Sequence, residues 1–348
     1  MPYLDDEISR LMQKCISCGK CTIQCPSAKY GGCDPHEVMM IGEGDIANCI
    51  MCGTCSRVCR RTDPLAVIKG LIYLERGGEF SDDFERTGYV HPIEDCPSRT
   101  ELDPKWDGGG VNIMPGCIVK AKVPYLEYAS AVAIRSLGYT CKELDGSGCC
   151  MRPAQFSDIM DIDKRAYKAK MVGNASGADI VSLCTGCSEE MSASALDVMN
   201  MIQFLHRSMD MLPKLDRPFP VAIEPGCQAA DLKDEMREIV EAIGCKVINS
   251  RIGCCGKDTS VSVKLMEERV KECSGCGAIV TACPKCFTKY DSQSGGKPVL
   301  YISELVAIAV GDFGSLSYHK IPVNLDDPLL YDPVDKVLTL GHEDKTRW

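Results

Sequence analysis

Three short blocks occur twice in this 348-residue chain, in the same order, and that repetition limits its possible folds more than any other feature. "VNIMPGC" at Val111 to Cys117 matches "VAIEPGC" at Val221 to Cys227. "GSGCC", closing on Cys149 and Cys150, matches "RIGCC", closing on Cys254 and Cys255. "ADIVSLCTGC" at Ala178 to Cys187 matches "GAIVTACPKC" at Gly277 to Cys286. The offset between copies falls from 110 to 105 to 99 residues, so the second copy is progressively shortened, and three blocks in one order mark a duplication. The β-branched runs before Cys117, Cys184, Cys227 and Cys283 predict short buried strands, each followed by a turn and then helical spacing. "PYLEYASAVAIRSLG" and "DEMREIVEAIG" predict helices between strands. The expectation is two α/β units with their cysteines at the strand ends, the rim where such folds place their sites.

The chain holds 24 cysteines. A secreted disulfide scaffold would open with an export signal, whereas "MPYLDDEISRLMQ" is acidic and amphipathic. A cytoplasmic chain is expected, in which C-x-x-C units bind metal or act in catalysis. The longest strongly apolar run, "ELVAIAVG" from Glu304, is too short for a bilayer and predicts a buried helix, so membrane contact would come only through a partner. A net charge of -10 argues against nucleic acid, which needs a basic face. No glycine-rich dinucleotide fingerprint follows a predicted strand, so electrons are expected from another subunit.

Two further cysteine runs precede the duplication. "CISCGKCTIQCP" from Cys15 and "CIMCGTCSRVC" from Cys49 both read C-x2-C-x2-C-x3-C. In the bacterial ferredoxin signature three cysteines of each run hold one [4Fe-4S] cubane and the fourth crosses to the other. One cluster would take Cys15, Cys18, Cys21 and Cys59, the other Cys49, Cys52, Cys55 and Cys25. Gly19 and Gly53 are expected to relieve crowding beside the clusters. Zinc knuckles are the alternative, but they do not need two tandem four-cysteine ladders. "DDEISRLMQKC", "DPHEVMMIG" and "PLAVIKGLIYLE" predict flanking helices. This part resembles the helical ferredoxin domain of iron-sulfur subunits in respiratory reductases.

Each duplicated block supplies five thiols: one after a strand, the adjacent pair and the C-x-x-C. Neighbouring residues on an extended chain point to opposite sides, so one zinc ion rarely uses both members of a pair. A larger cluster approached by a turn can, and five thiols exceed the four irons of a cubane. The C…CC…C-x-x-C block, present twice, resembles the cysteine-rich CCG domain of heterodisulfide reductases, and the ladder resembles their ferredoxin subunit, over roughly Asp5 to Asp312. The resemblance implies two noncubane [4Fe-4S] clusters, one on Cys117, Cys149, Cys150, Cys184 and Cys187, the other on Cys227, Cys254, Cys255, Cys283 and Cys286. It implies an α+β multidomain chain: a helical 2[4Fe-4S] ferredoxin-like domain at 1–105, α/β CCG modules at 106–215 and 216–320, and a C-terminal extension at 321–348. The gap from Cys227 to Cys254 holds 26 residues against 31 in the first copy, which implies a missing substrate-shaping insertion.

The implied reaction is two-electron reduction of a disulfide, the heterodisulfide of coenzyme M and coenzyme B, to two thiols. An ordinary C-x-x-C reductase needs a free attacking thiolate. Iron on Cys184, Cys187, Cys283 and Cys286 would close that route, leaving cleavage between two clusters that face one pocket. The two cubanes would carry electrons singly from a partner docked on the ladder, either a flavoprotein or a membrane protein of the cytochrome b type. The second reading is an electron-transfer subunit of a thiol-driven fumarate reductase or hydroxy-acid oxidase complex; the third is a zinc-binding scaffold. Six cysteines remain: Cys33, Cys96, Cys141, Cys245, Cys273 and Cys276. Cys141 and Cys245 are expected in strands as small buried residues, and "CSGC" at Cys273 is a decoy that ends an amphipathic helix. The five histidines show no ligand spacing.

Overall fold

The computed structural model describes residues 2–76, 84, 86–91, 93, 98–152, 164–250, 253–256, 259–294, 297–320, 330–332 and 337–339. The duplication read from the sequence emerges as two parallel sheets. The first contains β1 (Val111–Met114), β2 (Cys141–Glu143), β3 (Asp179–Ser182) and β4 (Met199–Asn200), in the order β2-β1-β3-β4. The second contains β5 (Pro220–Glu224), β6 (Lys246–Ser250), β7 (Ala278–Thr281) and β8 (Val299–Tyr301), in the order β6-β5-β7-β8. The registers match as well: Val111 pairs Asp179 and Met114 pairs Ser182, as Val221 pairs Ala278 and Glu224 pairs Thr281. Parallel strands are covered on both faces, which is why β1 and β7 are buried along their whole length and read as apolar runs.

The two units share one core. Val111, Ile113, Val221, Ile223, Ile279 and Leu305 belong to a single buried cluster. The helix Tyr125–Ser136 of the first unit packs on the helix Ile302–Ala309 of the second, with Ser130 and Ser303 hydroxyls 2.9 Å apart. The helix after Cys117 packs on the one after Cys283, and the helix after Cys184 packs on the 3-10 segment Cys227–Leu232. Each unit therefore sets its first cysteine turn against the C-x-x-C helix of the other. "ELVAIAVG" forms the expected buried helix, and among the described residues no helix is long and apolar enough to cross a membrane.

The ladder is helical, as its spacing predicts. Helices Pro2–Gln13, Pro35–Ile41 and Pro64–Arg76 enclose a separate small core of Ile8, Val38, Met39, Val67 and Ile68. Asp34 begins the second of these by accepting the backbone N–H of His36 at 2.8 Å, and Pro35 follows in the first turn. The polar stretch that joins the ladder to the sheets is tied down along β2. Asp107 N–H donates to the Cys141 carbonyl at 3.1 Å, Cys141 N–H donates to the Asp107 carboxylate at 2.8 Å, and Arg135 donates to the Pro104 carbonyl at 2.6 Å. These bonds cover an exposed sheet edge. Of the residues after 320, the structure describes only the antiparallel pair β9 (Leu330–Asp332) and β10 (Val337–Thr339).

Candidate metal centres

In the ladder, each cysteine run wraps a short helix after a left-handed turn. Gly19 and Gly53 hold φ of +67° and +76°, and no protein atom approaches within 4 Å of a Cβ built on Gly19. Among protein atoms, then, backbone conformation rather than crowding accounts for glycine at position 19. Cys25, Cys49, Cys52 and Cys55 line one small pocket together with Ile50, Leu65 and Ile68. Cys21 lies within electrostatic reach of Cys15 and Cys59. The fold thus brings Cys59 to the first run and Cys25 to the second, the crossing that the spacing predicts. Cys18 is exposed and Cys15 half-buried, so the first group faces outward. Burial pushes the Cys25 thiol up to about 11 and the Cys55 thiol up to about 12. Such thiols lose their protons only when a cation takes up the charge, so sulfur donors in an apolar shell fit an iron-sulfur cluster.

In the first unit the five thiols stand in series. Cys117 contacts Cys149, Cys149 contacts Cys150, Cys150 contacts Cys187, and Cys187 contacts Cys184. The second unit repeats the series as Cys227, Cys254, Cys255, Cys286 and Cys283. Hydrogen bonds with Cys149 and Cys187 hold the Cys150 thiol well below its usual range, while Cys149 is pushed up by Cys117 and Cys150. Eight of these ten thiols are buried, and only Cys184 and Cys227 are half-exposed. Among the described residues no three Cys, His, Asp or Glu side chains surround a point that could hold one metal ion. Each row places five neighbouring sulfurs together, one more than the four ligands of a tetrahedral zinc site.

The turns that carry these thiols depend on glycine. Gly226, before Cys227, has φ of +92°, and a Cβ there would come within 2.7 Å of the Cys283 Cβ. Gly116 repeats the arrangement at φ +79°, where an added Cβ would lie 3.0 Å from the Cys187 sulfur. The "PGC" signature therefore exists so that the first cysteine turn can lie against the C-x-x-C.

Cysteine-bearing segments of the ladder and the second unit meet directly. Cys254 donates to the Ile50 carbonyl at 3.6 Å, and Ile50, Cys52, Cys254, Val261 and Leu265 form one buried cluster. Asn48 accepts from Ser260 N–H and Oγ at 2.8 and 2.7 Å. Gln228 ties three parts together. Its amide nitrogen donates at 3.4 Å to the carbonyls of Met51 and Cys52, and its oxygen accepts from Arg152 of the first unit at 2.9 Å. Asn48, Gln228 and Arg152 escaped the sequence reading because each is an isolated polar residue whose partners are remote in the chain.

The remaining cysteines separate by position. Cys141 begins β2 and is fully buried, as expected, whereas Cys245 lies one residue before β6. Cys273 and Cys276 contact each other just before β7, at the opposite end of that strand from Cys283. Cys33 is different: it lines the pocket of Cys25, Cys49, Cys52 and Cys55 and contacts Cys49. Nothing in its spacing marked it. Cys96 lies outside the described residues.

Comparison with known proteins agrees with this geometry. Residues 7–60 match the 4Fe-4S dicluster domain family and residues 111–192 match the CCG cysteine-rich domain family. The chain is thus an iron-sulfur protein that joins a dicluster domain to a cysteine-rich domain. It is similar to a subunit of the ferredoxin/F(420)H(2)-dependent CoB-CoM heterodisulfide reductase of Methanosarcina acetivorans, with 24% identity over 58% of this chain and 89% of that protein. It is also similar to a subunit of the ferredoxin:CoB-CoM heterodisulfide reductase of Methanosarcina mazei, with 22% identity over the same shares, 58% and 89%. These relatives bear out the resemblance read from the sequence. Among solved structures, glutamate racemase from Aquifex pyrophilus covers 59% of this chain and 85% of its own at 14% identity, but its TM-score of 0.31 is too low to bear on fold or function.

Proposed function

We propose that the chain is the catalytic subunit of a disulfide reductase whose substrate is the coenzyme M–coenzyme B heterodisulfide. The observation that carries this reading is the pair of five-thiol rows, one per unit, on turns and helices that pack across a shared interface. In this reading both units are CCG modules. Cys117, Cys149, Cys150, Cys184 and Cys187 hold one noncubane [4Fe-4S] cluster, and Cys227, Cys254, Cys255, Cys283 and Cys286 hold the other. Cys15, Cys18, Cys21 and Cys59 hold one cubane; Cys25, Cys49, Cys52 and Cys55 hold the second. When bound, the clusters supply single electrons at a site that holds no free nucleophilic thiol.

The chain's own residues define the route and the balance. Overall, R–S–S–R′ takes up two electrons and two protons and leaves as RSH and R′SH. The thiols that an exchange mechanism would need are committed as ligands, so no mixed disulfide with the protein forms. The exposed Cys18 marks the side of the ladder that an electron donor reaches, with exposed Ile16 and Ile23 beside it. The buried contact of Ile50 and Cys52 with Cys254 excludes water between the second cubane group and the second unit.

The test uses the full chain purified without oxygen. With a reduced one-electron viologen dye and the heterodisulfide, two thiols should appear per disulfide consumed. NADH or NADPH alone should release none. Dye-reduced protein that releases no thiol from the heterodisulfide would assign the chain to electron transfer within another complex.

A further inference from the structure

The two units are duplicates in strand order and thiol order, yet they differ on one wall of the thiol site. Three matching positions define it. Met114 and Glu224 occupy the same register position, the last of β1 and of β5. Met191 and Tyr290 each follow the last cysteine of the C-x-x-C by four residues. Tyr167 and Arg269 each lie over the glycine that precedes the cysteine pair, because a Cβ on Gly148 would strike the Tyr167 hydroxyl and a Cβ on Gly253 would strike Arg269 Nη2.

The chemistry of the two walls is opposite. In the first unit Met114 and Met191 pack with Cys150 and Cys187 in one apolar cluster. In the second, Arg269 Nη1 donates to Glu224 Oε2 at 2.6 Å and to the Tyr290 hydroxyl at 2.8 Å, with all three residues buried. A buried ion pair is a poor way to stabilise a core that an apolar set of similar size can fill. The first unit shows that this fold accepts the apolar set, so stability does not account for the ionic one. Two more observations point toward the thiols. Arg269 Nε is buried and has no hydrogen-bond partner among the described residues, and Arg269 lies within electrostatic reach of Cys286. Its side chain thus runs along the Gly253 turn that leads into Cys254 and Cys255, with a spare donor.

We propose that Arg269 is a positioning residue for the cluster of the second unit, held by Glu224 and Tyr290 so that Nε–H donates to a sulfur of that cluster. The consequence is that Arg269 makes the cluster of the second unit easier to reduce than it would be without that side chain. Adding an electron adds negative charge, which a fixed cation and an N–H donor to sulfur favour; the first unit has a cation of its own, Arg152, in electrostatic reach of Cys150, so the effect of Arg269 is read against its own variants. This rests on the proposal that both units hold clusters.

The experiment is a potentiometric titration of the whole chain followed by electron paramagnetic resonance, with iron measured on every sample. The signal of each unit is assigned by its loss in Cys150→Ser or Cys255→Ser. Two variants are compared with the parent. Arg269→Lys keeps the charge but removes Nε–H. The triple variant Glu224→Met, Arg269→Tyr, Tyr290→Met copies the wall with which the first unit already folds, so it guards against a variant that merely unfolds. The expected result is unchanged iron, an unchanged first-unit potential and a second-unit potential that shifts downward in both variants. A second-unit potential that stays in place while iron is retained overturns the proposal. Parent protein with about twelve irons instead of about sixteen, its second unit empty, fails the underlying cluster reading and this proposal with it, before any variant is made.

Discussion

At the scale of single residues, the thiols and the glycines beside them make separable predictions. Cys150 is the middle member of its row, contacting Cys149 and Cys187, and Cys255 holds the matching place between Cys254 and Cys286. Cys150→Ser or Cys255→Ser should abolish thiol release and remove about four irons while the ladder's cubane signals persist, because those ligands belong to another domain. Iron analysis and resonance spectra check this. Gly226→Ala tests the turn itself. At φ +92° and with a Cβ meeting that of Cys283, alanine should cost about 1–3 kcal/mol of stability, read by denaturant unfolding. The cysteine positions were legible because spacing is local. The Glu224, Arg269 and Tyr290 set was not: the repeated blocks align Met114 with Glu224, but only the fold brings Arg269 to Glu224 and Tyr290.

At the scale of elements, the otherwise apolar helix Ile302–Ala309 carries a buried polar clamp in its first turn. Glu304 accepts from Tyr301 N–H at 2.8 Å, from the Ser315 hydroxyl at 2.7 Å and from His319 Nε2 at 2.9 Å. Burial works to lower the His319 value, but the charge and hydrogen bond of Glu304, with Asp291 beyond, outweigh it and hold the imidazole above its usual 6.5. The rings of Tyr125 and Phe287 also lie against it, with centroids 5.7 and 5.1 Å away. Because the folded value is raised, the protonated ring stabilises the fold fully below the unfolded value near 6.5. That contribution is lost as pH rises through the folded value. Unfolding free energy should therefore fall over this window by at most roughly 1.4 kcal/mol per pH unit, and His319→Gln should remove this part of the slope. Denaturant midpoints across the pH range measure it. "ELVAIAVG" announced a buried helix, but its single glutamate gave no sign of the histidine fifteen residues away.

At the scale of the whole molecule, the ladder and the second unit meet at a buried seam, which the proposed function makes the path of electrons to the thiol rows. Gln228 spans it, bonded to the carbonyls of Met51 and Cys52 on one side and to Arg152 on the other. Gln228→Ala should leave iron unchanged, cost roughly 1 kcal/mol through the lost hydrogen bonds, and slow dye-driven thiol release. Unfolding curves and steady-state rates on one preparation separate the two effects. An intact variant with parental stability and rate would mean that the seam needs no side-chain tie. The parent chain should carry about sixteen irons, four clusters of four. A content near eight would confine iron to the ladder.

Periodicity and cysteine spacing alone pointed to the helical ladder, the repeated α/β units and the strands before Cys117, Cys184, Cys227 and Cys283, because each of these rests on a short local pattern. Strand burial made the β-branched runs visible, and positive φ made the glycines of "PGC" necessary. Only the tertiary structure decided that the second unit receives the ladder, that each first-cysteine turn packs on the C-x-x-C helix of the other unit, and that Cys33 joins a pocket of four other thiols. Those contacts join residues from about eight to more than two hundred positions apart, as in Cys25 with Cys33 and Ile50 with Cys254. Their partners are selected by packing, and packing leaves no period in the sequence.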